Sequence, residues 1–96
     1  MDFVKENAVE DIHRQICDEI HQLFLRKNAD YGDAFARARE TIPCYTLGKL
    51  HDKFSRYMNL TLGEKQNVDE SIEDTLIDLA NYAIMEVANR RAKRGI

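Results

Sequence analysis

The side chains best suited to chemistry lie in the last third of the chain: Glu70, Asp74, Asp78 and Asn81. On a helix advancing about 100° per residue they fall within roughly 80° of arc, so their oxygens form one stripe. Carboxylates arranged in this way can converge on a hard divalent cation, Mg²⁺ or Mn²⁺, which takes oxygen ligands. The competing reading is the solvated side of an amphipathic helix, where acids also favour the positive end of the helix dipole. Two features weigh against that reading. Like charges at successive four-residue steps repel by about 0.2–0.5 kcal/mol per pair. Ile77, Ile84 and Met85 also border the stripe, so this side is not plainly a solvent face.

The preceding segment carries the opposite charge. Lys49, Lys53 and Arg56 fall within about 60° of helical arc, away from Leu47, Leu50, Phe54, Tyr57 and Met58. Such a row suits phosphate, with the guanidinium gripping bidentately and the ammonium groups acting as point charges. The plain alternative is that these cations pair with Asp74 or Asp78 across two neighbouring helices. Together the two rows, on consecutive antiparallel helices, are the components of a metal–polyphosphate site. Asp30 and Tyr31 precede Gly32; a tyrosine beside a glycine turn can stack on a base or plug the end of a bundle.

Other chemistry is less well supplied. His13, Cys17 and His21 recur at four-residue steps, a soft-metal stripe in which only neighbours could share an ion, with no fourth ligand evident. Packing at the edge of a core is the preferred reading. Neither Cys17 nor Cys44 has a base nearby in sequence to make it a nucleophile. Phosphate-binding glycine loops, dinucleotide fingerprints and zinc-finger spacings are absent from the sequence.

The elements that position these residues read as helices. The first is expected over Asp2–Arg26, with Val9, Ile12, Ile16, Ile20, Leu23 and Phe24 on one face and Asp2 as N-cap. Residues 28–45 read as a loop with a short helix over Ala34–Glu40, stopping before Pro43. The second long helix is expected over 46–62, capped by Thr46 and stopped at Gly63. The third runs over 67–92, with Asn67 and Glu70 in a capping box. The fold class is therefore all-α: a single domain, 1–96, built as a small antiparallel bundle of three main helices.

Composition supports that class and bounds the partners. The chain has 96 residues, 44% hydrophobic and 32% charged, with one Pro and four Gly, too few turn formers for an all-β domain. No apolar run approaches the ~20 residues that span a membrane. The acidic leader region and two cysteines point to a reduced, cytoplasmic protein. The formal charge of −3 falls to −7 without Arg90, Arg91, Lys93 and Arg94. An acidic body with a short basic end argues against bulk nucleic-acid binding, and the end itself suits a helix C-terminus. So short a chain encloses only a small core, so completion by a homodimer or higher homo-oligomer is expected.

Three ordered motifs carry a resemblance. Lys27-Asn-Ala-Asp-Tyr-Gly-Asp33, Lys49-Leu-His-Asp-Lys-Phe-Ser-Arg56 with Asn59-Leu60, and Glu70 through Tyr82 resemble the nucleotide modification associated domain 1 family. These are small helical proteins common in phages and bacteria, and the likeness covers residues 20–86. The last motif also resembles the acidic helix of all-α nucleoside triphosphate pyrophosphohydrolases, the MazG and dimeric dUTPase group, through Asp74 and Asn81. That likeness implies Mg²⁺ held by four acids from two helices, in dimers or tetramers. Here the pattern departs: Asp52 is followed three residues later by Ser55, and Ser71 stands three residues before Asp74. The missing ligands would come from elsewhere, from Asp30, Glu19 or a second subunit.

The expected function is thus a nucleotide-handling helical protein, a Mg²⁺- or Mn²⁺-dependent hydrolase of a nucleoside triphosphate or related nucleotide, in the host cytoplasm if phage-encoded. Glu70 and Asp74 are the candidate catalytic residues, and Glu70, Asp74 and Asp78 the metal ligands. Lys49, Lys53 and Arg56 are the phosphate contacts, and Lys27, Asp30, Tyr31 and Asn81 the substrate contacts. The alternatives are a module that binds a nucleotide without turning it over and a structural interaction domain.

Overall fold

The computed structural model describes the backbone of residues 2–63 and 69–95, and the side chains of 8–30, 32–63 and 71–95. Four helices account for nearly all of it: α1 (Asp2–Tyr31), α2 (Ala34–Thr41), α3 (Tyr45–Leu62) and α4 (Asp69–Lys93). With no strand among the described residues, the fold is all-α. None of the described helices is long and apolar enough to cross a membrane. The chain divides into two compact units, residues 1–33 and 34–96.

In the first unit, α1 runs five residues beyond the expected end at Arg26. Asn28 and Asp30 lower helix propensity by only tenths of a kcal/mol, so they do not stop a long helix. Gly32 does: it adopts φ +60°, and its N–H donates to the Asn28 carbonyl at 2.7 Å. That is the left-handed glycine cap. Asp30 therefore stands on a helix, not in the loop expected there.

The second unit holds α2, α3 and α4. Ala34, Ala36 and Ala38 favour helix in α2, which ends two residues before Pro43. Cys44 then turns the chain at φ 55° and serves as the N-cap of α3 without a side-chain cap bond. Thr46, expected as that cap, lies inside α3 and is buried. Its hydroxyl is used elsewhere.

Helices α3 and α4 pack along each other, and their polar contacts define the direction. Thr46 meets Glu86, Lys53 meets Asp78 and Arg56 meets Thr75. Partner numbers fall on α4 as they rise on α3, so the pair is antiparallel. The cationic end of α4, with Arg90, Arg91 and Lys93 in its last turn, complements the helix dipole. The capping box at Asn67 lies outside the described residues.

The packing face of α4 towards α3 carries polar side chains. Thr75, Asp78 and Glu86 are turned towards α3, whereas Leu76, Ile84 and Val87 are exposed. The apolar side of α3 divides similarly: Leu50 and Tyr57 are half-buried, and Leu47, Phe54 and Met58 are exposed. A helix with polar partners waiting on its neighbour satisfies them first, because an unpaired buried polar group costs more than an exposed aliphatic one.

Candidate functional site

The cations of α3 come in steps of four and three residues, which keeps them on one side of the helix. The Lys49 ammonium lies 5.5 Å from the centroid of the Tyr45 ring, within cation–π range. One turn on, Lys53 Nζ stands 3.1 Å from Asp78 Oδ2. Another turn on, Arg56 Nε donates to Thr75 Oγ1 at 3.2 Å, and the Thr75 hydroxyl donates to the Ser71 carbonyl at 2.8 Å. The Thr75 hydroxyl is thereby a fixed relay between the guanidinium and the α4 backbone, and it is buried.

Of the candidate acids of α4, Asp78 faces this row. Asp78 is partly exposed and paired with Lys53. Asp74, one turn earlier, is exposed and has no hydrogen-bond or ionic partner among the described residues. Asn81 is buried on the same helix. The side chains of Glu70 and Tyr31 lie outside the description. Among the described residues, no three His, Cys, Asp or Glu side chains gather closely enough to hold a metal ion. The pairing of Lys53 with Asp78 realises the ionic contact across neighbouring helices.

On α1, the Cys17 thiol lies 3.9 Å from His13 Nδ1, and His21 stacks on Phe24 with centroids 6.5 Å apart. The soft-metal stripe gathers no third ligand among the described residues.

A second polar cluster escaped the sequence reading. Glu86 accepts from Arg39 Nε at 2.7 Å and Nη2 at 2.8 Å, from Thr46 Oγ1 at 2.7 Å and from Arg90 Nε at 2.6 Å. These donors hold its carboxyl far below the usual glutamate range, Arg39 contributing most, then Thr46 and Arg90, against a smaller opposing effect of burial. Arg39 is pushed up in turn, chiefly by its hydrogen bonds to Glu86. Beside the cluster is an open cavity of about 490 Å³ lined by Arg39, Cys44, Tyr45, Thr46, Glu86 and Arg90. A carboxylate with four donors and a strongly depressed pKa is a poor base and a poorer acid at neutral pH. Its role is to bind α2, α3 and α4 together. The sequence signal for it was the Glu86–Arg90 spacing of four on one helix; nothing local pointed to Arg39.

A family model, nucleotide modification associated domain 1, matches residues 27–89, from the end of α1 through α2 and α3 to near the end of α4. No curated protein and no solved structure matches the chain.

Proposed function

The chain belongs to the nucleotide modification associated domain 1 family, and from that membership we propose that it binds a nucleotide through its phosphates and hydrolyses it. The substrate class is a nucleoside triphosphate or a related nucleotide, as for the all-α pyrophosphohydrolases that the acidic helix resembles. One observation carries the reading: Lys53 Nζ, in the middle of the cationic row of α3, lies 3.1 Å from Asp78 of α4, and Asp74 one turn away has no partner among the described residues. A phosphate entering this strip finds Lys49, Lys53 and Arg56 along one wall.

Two carboxylates one turn apart, one of them free of any described partner, fit a Mg²⁺ or Mn²⁺ ion that retains several of its own waters. Asp74 and Asp78 would hold it, with Glu70 one turn earlier on α4 as the further acid. When bound, the ion supplies charge neutralisation on the phosphate oxygens. Lys53 would exchange its carboxylate for phosphate, Arg56 would grip a second oxygen while Thr75 fixes its orientation, and Asp74 would hold the proton taken from the attacking water. Positioning and charge neutralisation supply most of the barrier lowering in phosphoryl transfer.

A second reading, nucleotide capture without turnover, is favoured by one observation. The described acids do not assemble a three-carboxylate cluster. Incubating the purified protein with a nucleotide panel and Mg²⁺ or Mn²⁺, while measuring product and binding together, separates the readings. Metal-dependent product release that disappears in Asp74→Ala supports hydrolysis. Binding without product leaves the capture module, and neither activity with either metal overturns both.

A further inference from the structure

The open cavity beside Glu86 takes no part in the hydrolysis proposed for α3 and α4. Its volume of about 490 Å³ falls within the roughly 300–1,000 Å³ of small-molecule sites. Its lining is of two kinds: the guanidinium groups of Arg39 and Arg90, and the apolar side chains of Leu47 and Leu50 beside Tyr45.

Glu86 engages only part of the two guanidinium groups. Arg39 donates to it through Nε and Nη2, and Arg90 through Nε. Arg39 Nη1 and both Nη groups of Arg90 have no hydrogen-bond partner among the described residues. Two positive groups against one carboxylate leave this wall positive, with N–H donors to spare. The main chain adds more. Cys44, Tyr45, Thr46 and Leu47 line the cavity in succession, and four consecutive residues at a helix start cannot all turn their side chains one way. The backbone there therefore forms part of the wall, and its first-turn N–H groups have no intrahelical acceptor. Cys44, at φ 55° and ψ 32°, precedes the helical Tyr45, a left-handed step that turns successive N–H groups towards one point and suits an anion.

We propose that this cavity binds a phosphate monoester with an apolar body, of about the size of a mononucleotide. The phosphate meets the unused Nη groups of Arg39 and Arg90 and the first N–H groups of α3. A carboxylate has too few oxygens for donors from two side chains and the main chain together, whereas a phosphate group matches them. The body covers Leu47 and Leu50, an apolar wall that a bare ion leaves in water. Leu47 lies about 160° of helical arc from Lys49, so the site stands apart from the cationic row, and the inference does not rest on the nucleotide strip.

Cys44 provides the test, because its exposed thiol lines the cavity while that of Cys17 lies on α1. Adenosine monophosphate at ten times its dissociation constant should slow alkylation of Cys44 by iodoacetamide about ten-fold and leave Cys17 unchanged. Inorganic phosphate and adenosine, each alone, should protect less. Arg90, with its side chain 70% exposed, can be replaced without disturbing the fold: Arg90→Met should require about ten-fold more monophosphate for the same protection. Leu47→Asp, which sets a like charge in the cavity, should shift protection in the same direction with helicity retained by circular dichroism. Lys53→Met should leave it unchanged. Cys44 reacting equally fast with millimolar monophosphate present overturns the proposal. So does protection that inorganic phosphate matches, which marks a bare anion site, or protection that survives Arg90→Met and Leu47→Asp intact. Protection abolished by Lys53→Met overturns it too, by placing the ligand on the cationic row.

Discussion

Arg39 on α2 holds Glu86 on α4 through both Nε and Nη2, at 2.7 and 2.8 Å, across forty-seven residues of sequence. A planar fork meeting a carboxylate edge-on fixes direction as well as distance. Because Thr46 donates to the same carboxylate from α3, one side chain ties three helices. Lysine keeps the charge at position 39 and loses the fork. Arg39→Lys is therefore expected to lower the melting temperature measurably. An unchanged melting curve would show that the α2 contact contributes nothing to the fold.

The same cluster predicts how stability varies with pH. Glu86 sits far below its ordinary value near 4.5, so the folded state favours the carboxylate. The stabilisation is fully present above about pH 5 and is lost progressively as the pH falls through and beyond the unfolded value. Urea midpoints should therefore fall between about pH 5 and pH 2 more steeply in the wild type than in Glu86→Gln, which has no proton to bind there. Parallel pH profiles for the two proteins would remove Glu86 from the acid response.

Thr46 tests the α3 side of the tie. A hydrogen bond to a charged group contributes about 1.5–3 kcal/mol, and Glu86 retains two guanidinium groups after its loss. Thr46→Val, which preserves shape, should cost about 1.5 kcal/mol, at the low end of that range. Chemical denaturation with an unchanged m-value provides the measurement. If Thr46 acted as the helix cap that its position suggests, Thr46→Ser would be silent and Thr46→Asn stabilising; packing beside Glu86 predicts that asparagine destabilises.

Much of this was legible before the fold was known. Helices α3 and α4 announce themselves through periodic apolar residues, and the opposed charges of Lys53 and Asp78 are visible as two rows. Which cation meets which acid depends on the register of two helices, and a sequence carries register only through long-range packing. Glu86 shows the limit more sharply. It sits among Tyr82, Ala83, Met85 and Val87 and reads as one more charge on a long helix; its main partner is an arginine in a short helix far upstream. The end of α1 was misplaced for a different reason: Asn28 and Asp30 favour turns locally, but an established helix tolerates them until Gly32 offers a left-handed exit.

Cys44 offers a stabilising substitution. It is the one non-glycine residue described with positive φ, at 55°, and a left-handed conformation costs an L-residue about 1–2 kcal/mol. Its side chain makes no cap bond in return. Cys44→Gly removes the steric cost while adding about 0.5–1 kcal/mol of unfolded-chain entropy. The net expectation is a gain of up to about 1 kcal/mol in denaturant unfolding, and a loss would mean that the thiol makes a contribution its contacts do not display.

The proposed nucleotide strip makes the most discriminating prediction, because it separates function from stability at one pair. Lys53 and Asp78 are each about 30% exposed, and ion pairs of that kind contribute under about 1 kcal/mol to folding. Removing the pair should therefore leave the melting curve nearly in place. Its functional consequences should differ in sign by residue. Lys53→Met takes a positive charge from the phosphate wall and should weaken triphosphate binding about ten-fold, with a shallower salt dependence because one fewer screened contact is made. Asp78→Asn frees the ammonium and removes a negative charge facing the phosphate, so without divalent metal it should bind triphosphate more tightly than the wild type. With Mg²⁺ present that advantage should disappear, since the substitution also removes a proposed ligand of the ion. Calorimetric titration of both variants with and without Mg²⁺ measures all four quantities. If Asp78→Asn responds identically in the two conditions, Asp78 does not hold metal, and the salt bridge to Lys53 is its whole role.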